Sequence, residues 1–362
     1  MRKLSRAEVD EILLAATILG TGGGGSLDEG MKLMDDFFAR GKDLYLADYD
    51  ELTDDAMIGT PYMCGAISPI TEEEEARYKG LPHLEDDCCV IAARSMEKFT
   101  GKAFAGFNSA EFGGLNTAVA MYVSGMAGVP IMNCDAAGRA IPDLQISSYN
   151  VHGVSIAPLA VANEFGDEAI FTNLVNDYRA EDMVRALAVV SKNMIGVVDH
   201  INTAGVLKNA VILGAMDFLQ EVGHAWMEAK AKGEDPIQAC VKAGGGRIAY
   251  YGTVEGQPYE TVNGYTVGHT YITTDEGDQL RLWYRNENIV MWKNDTVDVT
   301  APDLICILDA ETGMPIGNPM LTKGQRVAVL LFPCDPMWKT ERGLELLSPR
   351  AFGFEMDPVH AF

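Results

Sequence analysis

Basic residues are scarce in this chain of 362 residues. Lysine and arginine together number 28, against 52 aspartates and glutamates, which gives a formal net charge of -24 at pH 7. Nucleic acids and anionic membranes are bound chiefly through Lys and Arg side chains that meet phosphate groups. The composition therefore argues against both kinds of partner, while the length suits two domains at roughly 150 residues each.

Cysteine and histidine patterns typical of disulfide frameworks and metal centres are also missing. The seven cysteines include no C-x-x-C pair, which favours free thiols in a reducing compartment. The histidines are scattered and none lies in an H-E-x-x-H motif, so we expect no metal and no cofactor. Two weaker metal sites stay open, one around His83, Cys88 and Cys89 and one formed by the carboxylates of Glu111 and Asp135.

Long apolar segments are absent as well. No apolar run reaches the ~18 residues that a membrane-spanning helix needs. At the N-terminus, Glu8, Asp10 and Glu11 interrupt the apolar region that a signal peptide would require. We therefore expect a cytoplasmic protein without a membrane partner.

A glycine-rich stretch, GTGGGGS at 20–26, has the spacing of nucleotide-binding loops but not their context. Gly20, Gly22 and Gly25 satisfy G-x-G-x-x-G, and the spacing of Gly20 and Gly25 is that of a P-loop. However, Ser26 follows Gly25 directly where the P-loop lysine would stand. Nucleotide binding at this stretch is therefore disfavoured.

The elements around the glycines support a tight connection between two helices. A predicted helix over 5–18 precedes them, whereas the dinucleotide motif requires a strand at that place. Glycines with positive φ or close backbone packing suit such a connection. It also remains open that Gly22, Gly23 and Gly24 let a small uncharged ligand approach the backbone.

The order of apolar patterns predicts an α/β domain at the N-terminal end. Predicted helices cover 5–18, 27–40, 88–101 and 114–126, and predicted strands cover 43–49, 56–66, 102–107 and 129–134. A strand, helix, strand order implies parallel neighbours, so we expect a partly parallel sheet with helices. Residues 146–156 are expected to add another strand.

A different pattern follows in the second half. Residues 180–245 have mostly helical periodicity, and short strands separated by turn residues follow over 246–350. We therefore predict an α/β domain over 1–165 and a C-terminal part over 166–362 that is first helical and then β-rich. The helical segment is free to pack on the first domain.

Polar side chains follow three predicted strands, in loops at 64–69, 108–116 and 135–145. Ligands of open α/β sheets bind beyond the carboxyl ends of the strands. Carboxylates there would accept hydrogen bonds from ring N–H groups, and Arg, Asn and Gln would bind carbonyl or carboxylate oxygens. The candidates are Glu111, Asn116, Asp135, Arg139, Asp143 and Gln145.

These residues predict a site for a polar heterocycle, with Glu111 or Asp135 as a general base. The alternative, that they cap turns or pair with one another, stays open. A nucleophilic cysteine is a further candidate, since Cys88 and Cys89 begin a predicted helix and Cys134 adjoins Asp135. Inert buried thiols are the alternative for all three.

These stretches together resemble the S-methyl-thiohydantoin desulfurase-like family. The signatures are GTGGGG (20–25), EFGGLN (111–116) and DAAGRAIPDLQ (135–145), and further matches are NENIVMW (286–292), PDLICILDAETGMPI (302–316), KGQRVAV (323–329) and RGLELLSPRAFGF (342–354). The resemblance covers nearly the whole chain. It implies an α/β N-terminal domain with a β-rich C-terminal part.

The resemblance also implies a hydrolase of a small heterocycle of the thiohydantoin or hydantoin type. Water would replace a sulfur substituent at a ring carbon, with Glu111 or Asp135 as the base and Arg139, Asn116 and Gln145 orienting the substrate. Two other functions stay open: a non-catalytic partner or regulatory subunit of a hydantoinase or oxoprolinase, and a nucleotide-dependent enzyme using residues 20–26. A homo-oligomer also remains open.

Overall fold

Two β-sheets organise the chain, which is described here from a computed structural model covering residues 1–67 and 70–362 and omitting the side chain of Glu74. The strands of the first sheet are β1 (Arg2–Leu4), β2 (Leu44–Ala47), β3 (Met57–Gly65), β4 (Gly106–Ser109), β5 (Ile131–Asp135), β6 (Leu159–Ala162), β7 (Glu168–Phe171), β8 (Met194–Thr203) and β9 (Ile212–Leu213). Those of the second sheet are β10 (Arg247–Gly256), β11 (Tyr259–Val262), β12 (Tyr265–Thr274), β13 (Gln279–Arg285), β14 (Glu287–Lys293), β15 (Thr296–Thr300), β16 (Leu304–Asp309) and β17 (Arg326–Phe332).

Helices pack mainly around the first sheet. They are α1 (Arg6–Leu19), α2 (Leu27–Ala39), α3 (Glu72–Arg77), α4 (Cys88–Thr100), α5 (Gly114–Ala127), α6 (Ser148–Val151), α7 (Asp177–Val189), α8 (Ala204–Leu207), α9 (Ala215–Lys232), α10 (Pro236–Ala243) and α11 (Glu341–Leu346). Short 3₁₀ turns lie at Tyr49–Glu51, Pro336–Lys339 and Pro349–Phe352. Within the described residues, no helix is long and apolar enough to cross a membrane.

The first sheet is mixed, in the order β1-β2-β5-β4-β3-β8-β6-β7, with β9 beside β5. The strands β2, β5, β4 and β3 run parallel, and β8 joins β3 in antiparallel direction. The helices α3 and α4 connect β3 to β4, and α5 connects β4 to β5, as crossovers between parallel strands require. The predicted partly parallel α/β domain is therefore confirmed.

Local sequence signals explain where the first helices begin and end. Ser5 and Glu8 form the expected capping box of α1, and Ser26 accepts a hydrogen bond from the N–H of Glu29 at the start of α2. Gly101 ends α4 in the left-handed conformation, with φ of 68°. These predicted boundaries agree with the structure to within about two residues.

Two predictions about the middle of the chain are wrong. Residues 146–156 hold the short helix α6, capped by Ser147, instead of a strand. The segment 180–245, predicted as helical, contains the ten-residue strand β8. The apolar run in β8 is buried between β3 and β6, and a short apolar run fits a buried strand as well as a helix. The first sheet thus extends beyond residue 165.

The helix α9, from the segment expected to be free to pack on the first domain, packs across α1. Gly223 lies against the backbone of Glu11, where a Cβ would overlap the Glu11 carbonyl. The β-rich part is confirmed: the second sheet is antiparallel, in the order β15-β14-β13-β12-β10-β17-β16, with β11 paired to β12. Burial alternates along β12 and β13, so one face of this sheet packs on the core.

Candidate functional site

A cleft with an empty volume of about 720 Å³ lies between the strand ends of the first sheet and one hairpin of the second. The residues that line it include Gly24, Thr60, Tyr62, Glu111, Asn116, Asp143, Tyr149, Arg185, Asp199, His200, Asn286 and Glu287. A concave site with a few convergent polar groups is the expected place for a small ligand. We call it the cleft below.

The structure divides the residues predicted from the sequence into two groups. Glu111, Asn116, Asp143 and Gly24 line the cleft. Asp135, Arg139, Gln145, Gly22 and Gly23 are close to it but are not part of its lining. Of the predicted loop 64–69, residues Cys64, Gly65 and Ile67 line the cleft, and residues 68 and 69 lie outside the described residues.

Glu111 follows β4 and is held at both oxygens. Its Oε1 accepts from Asn116 Nδ2 at 2.6 Å and its Oε2 accepts from the N–H of Ile141 at 2.6 Å. Burial raises the pKa of Glu111 to about 7; the charge of Asp135 adds to the rise, and the two hydrogen bonds oppose it. The carboxyl group is thus oriented and titrates near neutral pH, as a general base requires.

Asn116, in the first turn of α5, connects Glu111 to the end of β3. Its Oδ1 accepts from the N–H of Met63 at 2.9 Å, and its Nδ2 donates to the Met63 carbonyl at 3.2 Å as well as to Glu111. These bonds fix the amide orientation because donor and acceptor sides are both assigned by backbone partners. In this structure Asn116 positions Glu111.

Glu287 enters the cleft from the second sheet and was missed by sequence reasoning. Strands β13 and β14 join through Asn286, whose φ is 58°, and Glu287 is the first residue after this tip. Burial raises the pKa of Glu287 well above its usual range, the charge of Glu111 raises it further, and Arg139 opposes both. Its Oε2 is buried without a hydrogen-bond partner among the described residues.

Only a weak signal could have identified Glu287 beforehand. It lies in the segment NENIVMW, where three polar residues precede a buried apolar run. An ionisable residue at the start of a fully buried strand is unusual. That signal identifies Glu287 as an unusual residue, but it does not show which domain's cleft the side chain enters.

Asp135 ends β5 beneath the cleft. Its Oδ1 accepts from the N–H groups of Ala137 and Gly138 at 2.8 and 2.6 Å, and its Oδ2 is buried without a partner in the described part of the chain. Burial raises the pKa of Asp135 to about 6. The Asp135 carboxylate thus caps the turn after β5, which is the alternative to a role in the site.

Arg139 is fully buried, its guanidinium is engaged by protein groups, and it is not among the residues that line the cleft. It donates to the carbonyls of Ala140 at 3.0 Å, Pro302 at 2.9 Å and Asn288 at 3.4 Å, and to the Thr21 hydroxyl at 3.2 Å. These partners come from both domains. Each nitrogen of the guanidinium thus donates to at least one protein acceptor.

Asp143 faces a network on one side of the cleft. The Tyr265 hydroxyl donates to it at 2.6 Å and Arg285 forms an ion pair with it. Burial raises the pKa of Asp143 despite the Arg285 charge. Gln145 lies outside the lining, with a buried Oε1 that lacks a hydrogen-bond partner among the described residues.

The glycine stretch packs on a second glycine pair, and its carbonyl, not its N–H groups, faces the neighbouring helix. The Gly24 carbonyl accepts from the N–H groups of Leu115 and Asn116 at 3.2 and 3.1 Å. It thereby satisfies free donors at the start of α5. A Cβ at Gly24, whose φ is 72°, would clash with Gly113. At the start of α2, the helix that the glycines lead into, Ser26 accepts from the N–H of Glu29, and Asp28 and Glu29 lie in the first turn, which disfavours a phosphate there.

The same stretch joins the two domains. The N–H of Asn288 donates to the Thr21 carbonyl and the N–H of Asn318 donates to the Gly22 carbonyl, both at 2.8 Å. Gly23 lies directly against Glu287, so that an added Cβ would overlap the Glu287 carboxylate. The glycines therefore position the hairpin that carries Glu287.

A second polar cluster on the cleft wall was also missed. Asp199 and His200 lie on β8, with His200 Nδ1 at 2.8 Å from Asp199 Oδ1, and the Tyr62 hydroxyl donates to Asp199 Oδ2 at 2.6 Å. The His200 ring stacks on Tyr149 at 4.1 Å between centroids. Because the segment was predicted as helical, no sequence signal connected these residues to the cleft.

The cysteines are all free, and the thiol pKa values of the three candidates are raised. Burial raises the pKa of Cys88 to about 12, and raises those of Cys89 and Cys134 well above the usual range. Nucleophilic cysteines need the opposite shift. Within residues 1–67 and 70–362, no group of three His, Cys, Asp or Glu side chains could hold a metal ion.

The lining carries more acidic than basic side chains. Glu111, Asp143, Asp199 and Glu287 line the cleft, and Arg185 is the cation among the described lining residues apart from any charge on His200. Arg185 is itself engaged: it pairs with Glu181 at 2.7 Å and donates to the carbonyls of Gly264 and Pro142. The cleft therefore favours neutral ligands with hydrogen-bond donors over anions.

Comparisons with known proteins agree with this architecture. Family models match residues 7–173 as an S-Me-THD-like N-terminal domain and residues 175–361 as an S-Me-THD-like C-terminal domain. A crystal structure of a protein from Chromobacterium violaceum is similar, with a TM-score of 0.78 and 20% sequence identity over 99% of each chain. At that identity the likeness concerns the fold. No curated protein matches this chain.

Proposed function

Since this chain belongs to the S-Me-THD-like family, we propose that it hydrolyses a small neutral nitrogen heterocycle of the thiohydantoin or hydantoin type. The observation that carries the proposal is a pair of buried carboxyl groups, Glu111 and Glu287, that line one cleft and repel each other. Two such groups cannot both be ionised at low cost, so one serves as base and the other as hydrogen-bond donor.

The proposed reaction adds water at the ring carbon that carries an S-alkyl group. A C–O bond forms and the C–S bond breaks, so that an S-methyl-thiohydantoin and water give a hydantoin and methanethiol. No oxidant or reductant takes part. Attack on such an amidine-like carbon requires a base for the water and a proton donor for the groups that gain electron density.

Glu111 is the residue that we assign as base. Its two oxygens are fixed by Asn116 and the N–H of Ile141, and each retains a further lone pair that can accept from water. With a pKa raised to about 7, it is ionised above neutral pH and is a stronger base than an ordinary carboxylate. Asp135, the other predicted base, lacks direct access to the cleft.

Glu287 is the residue that we assign as the neutral donor. Its pKa is raised well above the usual range, so it retains its proton when Glu111 is ionised. The unpartnered Oε2 leaves one side of the carboxyl free to bond a ring nitrogen or carbonyl. A protonated carboxyl group can donate in this way where an ionised one can only accept.

The experiment compares turnover of S-methyl-thiohydantoin, hydantoin and the anionic N-carbamoylglycine, with thiol release and ring opening as readouts. We expect thiol release from the first and no turnover of the anion. Glu111→Gln should lower kcat/KM about 10³-fold with the fold intact by circular dichroism, which is the range of general base catalysis. Activity should fall as pH decreases below about 7, because Glu111 is then protonated.

Asp135→Asn separates the two predicted bases. It should retain turnover and move the midpoint of the pH profile lower, since the charge of Asp135 raises the pKa of Glu111. Abolished turnover in this variant would instead assign the base to Asp135. No turnover by the wild type, together with a stable complex with a hydantoinase, would support the alternative of a non-catalytic hydantoinase or oxoprolinase partner.

A further inference from the structure

An irregularity in β8 places Asp199 and His200 side by side. In the β3–β8 ladder Thr60 lies opposite Asp199 and Ile58 lies opposite Asn202, so β8 has one residue more than β3 across this step. Such an extra residue is a β-bulge, a feature that redirects side chains and is frequent beside active sites. Here the bulge coincides with the cleft wall.

His200 is the residue that absorbs the irregularity. Its φ is 44°, an unusual value for a residue with a side chain, and its N–H donates to the Ile156 carbonyl instead of the β3 ladder. Neighbouring residues of a regular strand point to opposite faces. The bulge brings the ring of His200 to the carboxylate of Asp199, and both residues line the cleft.

The environment fixes the orientation of the imidazole ring. Asp199 only accepts hydrogen bonds when ionised, so Nδ1 of His200 carries a proton toward Oδ1, and Tyr62 occupies the other carboxylate oxygen. Tyr149, stacked on the ring, is itself held by Thr60. Nε2 is left buried, without a hydrogen-bond partner among the described residues.

We propose that His200, oriented by Asp199, protonates the sulfur that leaves the ring. This inference rests on the proposed hydrolysis. Carboxylate–imidazole pairs serve in this way elsewhere, because the carboxylate stabilises the imidazolium and fixes the reactive nitrogen. Three observations together carry the proposal: His200 lines the cleft, its Nε2 has no hydrogen-bond partner among the described residues, and its backbone has a positive φ.

The protons and electrons balance in this scheme. Water bonds to the ring carbon, the electron pair of the C–S bond goes to sulfur, and sulfur takes the proton of His200 Nε2. One proton of water passes through Glu111 to the ring nitrogen, which ends as an N–H group. The other proton of water returns to His200, so the enzyme is restored and the products are a hydantoin and a thiol.

The test varies the leaving group. The para-nitrothiophenolate ion is stable without a proton, whereas methanethiolate is not. His200→Gln should lower kcat/KM about 10²-fold or more on S-methyl-thiohydantoin and less than about tenfold on the S-(para-nitrophenyl) analogue, in line with general acid catalysis. His224→Gln, which changes an exposed histidine on α9, is the matched control and should alter neither value.

The outcomes test the role of His200 separately from the proposed hydrolysis. Equal losses on the two substrates, or no loss on either, would overturn the assignment of His200 as proton donor. Should His200→Gln not fold, Asp199→Asn must show the same dependence on the leaving group, and equal losses there would overturn the proposal. A wild-type protein that releases thiol from neither substrate would contradict the proposed function itself, so the two failures are distinguishable.

Discussion

The two sheets contribute to the cleft in different ways. The first sheet supplies residues from several elements, including the loop after β4, the start of α5 and the bulged part of β8. The second sheet supplies the tip of one hairpin, Asn286 and Glu287. The first sheet thus forms most of the cleft wall. The second sheet inserts the carboxyl group of Glu287, whose position depends on contacts between the domains.

The two carboxyl groups of the cleft are therefore held in place by different parts of the molecule. Glu111 is oriented by residues of its own domain, Asn116 and Ile141. Glu287 is positioned by the hairpin and by contact with Gly23 of the other domain. Changes at the junction of the domains should therefore affect Glu287 more than Glu111.

Arg139→Met is expected to have the largest effect on stability. It removes donors from the Pro302 and Asn288 carbonyls of the second domain and from Thr21, all buried. Leaving such groups unsatisfied should lower the free energy of unfolding by about 3 kcal/mol. Urea denaturation measures it, with Arg350→Met, at an exposed ion pair, as the control. Equal stability of the two variants would disprove a role of Arg139 in joining the domains.

Gly23→Ala should displace the Glu287 carboxyl group without affecting the cleft residues of the first sheet. The new Cβ would displace the Glu287 carboxylate, and we expect a loss of about tenfold to 10²-fold in kcat/KM, or roughly 1.4–2.8 kcal/mol. Gly256→Ala is the matched control, because a Cβ there meets nothing within 4 Å. Unchanged turnover of Gly23→Ala would show that Glu287 does not need its observed position.

Glu287→Gln should raise stability, by about 1 kcal/mol near neutral pH, as relief of strain at an active site often does. The folded pKa of Glu287 is raised, so the proton bound in the native state stabilises the fold at low pH. That contribution is lost as pH rises above the ordinary value of 4.5 and through the folded value. The advantage of the variant, measured by denaturation across pH, should therefore grow with pH; a constant difference would contradict the shift.

Cys134→Ser should have the smallest effect, with kcat/KM within about twofold of wild type. The Cys134 thiol is buried, its pKa is raised well above the usual range, and it contacts Asn108 Oδ1 at 3.2 Å, a contact that a hydroxyl can replace. Thiol-release kinetics with both proteins measure it. A loss of about 10²-fold or more would restore a nucleophilic cysteine to consideration.

Sequence reasoning found the features that are encoded locally. The capping residues Ser5 and Ser26 and the terminal Gly101 mark helix ends through contacts within a few residues. Glu111 and Asn116 could be proposed because the parallel order of strands places the loops after them at one edge. Both line the cleft.

The features that were missed depend on distant contacts. The engagement of the Arg139 guanidinium could not be predicted because its partners, the Asn288 and Pro302 carbonyls, are remote in sequence. Glu287 reaches the cleft only because the two domains pack together, and the periodicity of apolar residues does not predict how domains pack. His200 depends on a bulge, which a period-two pattern does not register.

The position of β8 also bears on how the chain folds as it is synthesised. The N-terminal family model ends at residue 173, but β8, at Met194–Thr203, pairs with β3 inside the first sheet. A nascent chain therefore exposes an unpaired edge of β3 until Thr203 has left the ribosome. At about 5–20 residues per second, Glu287 follows several seconds later, so the cleft is completed only late in translation.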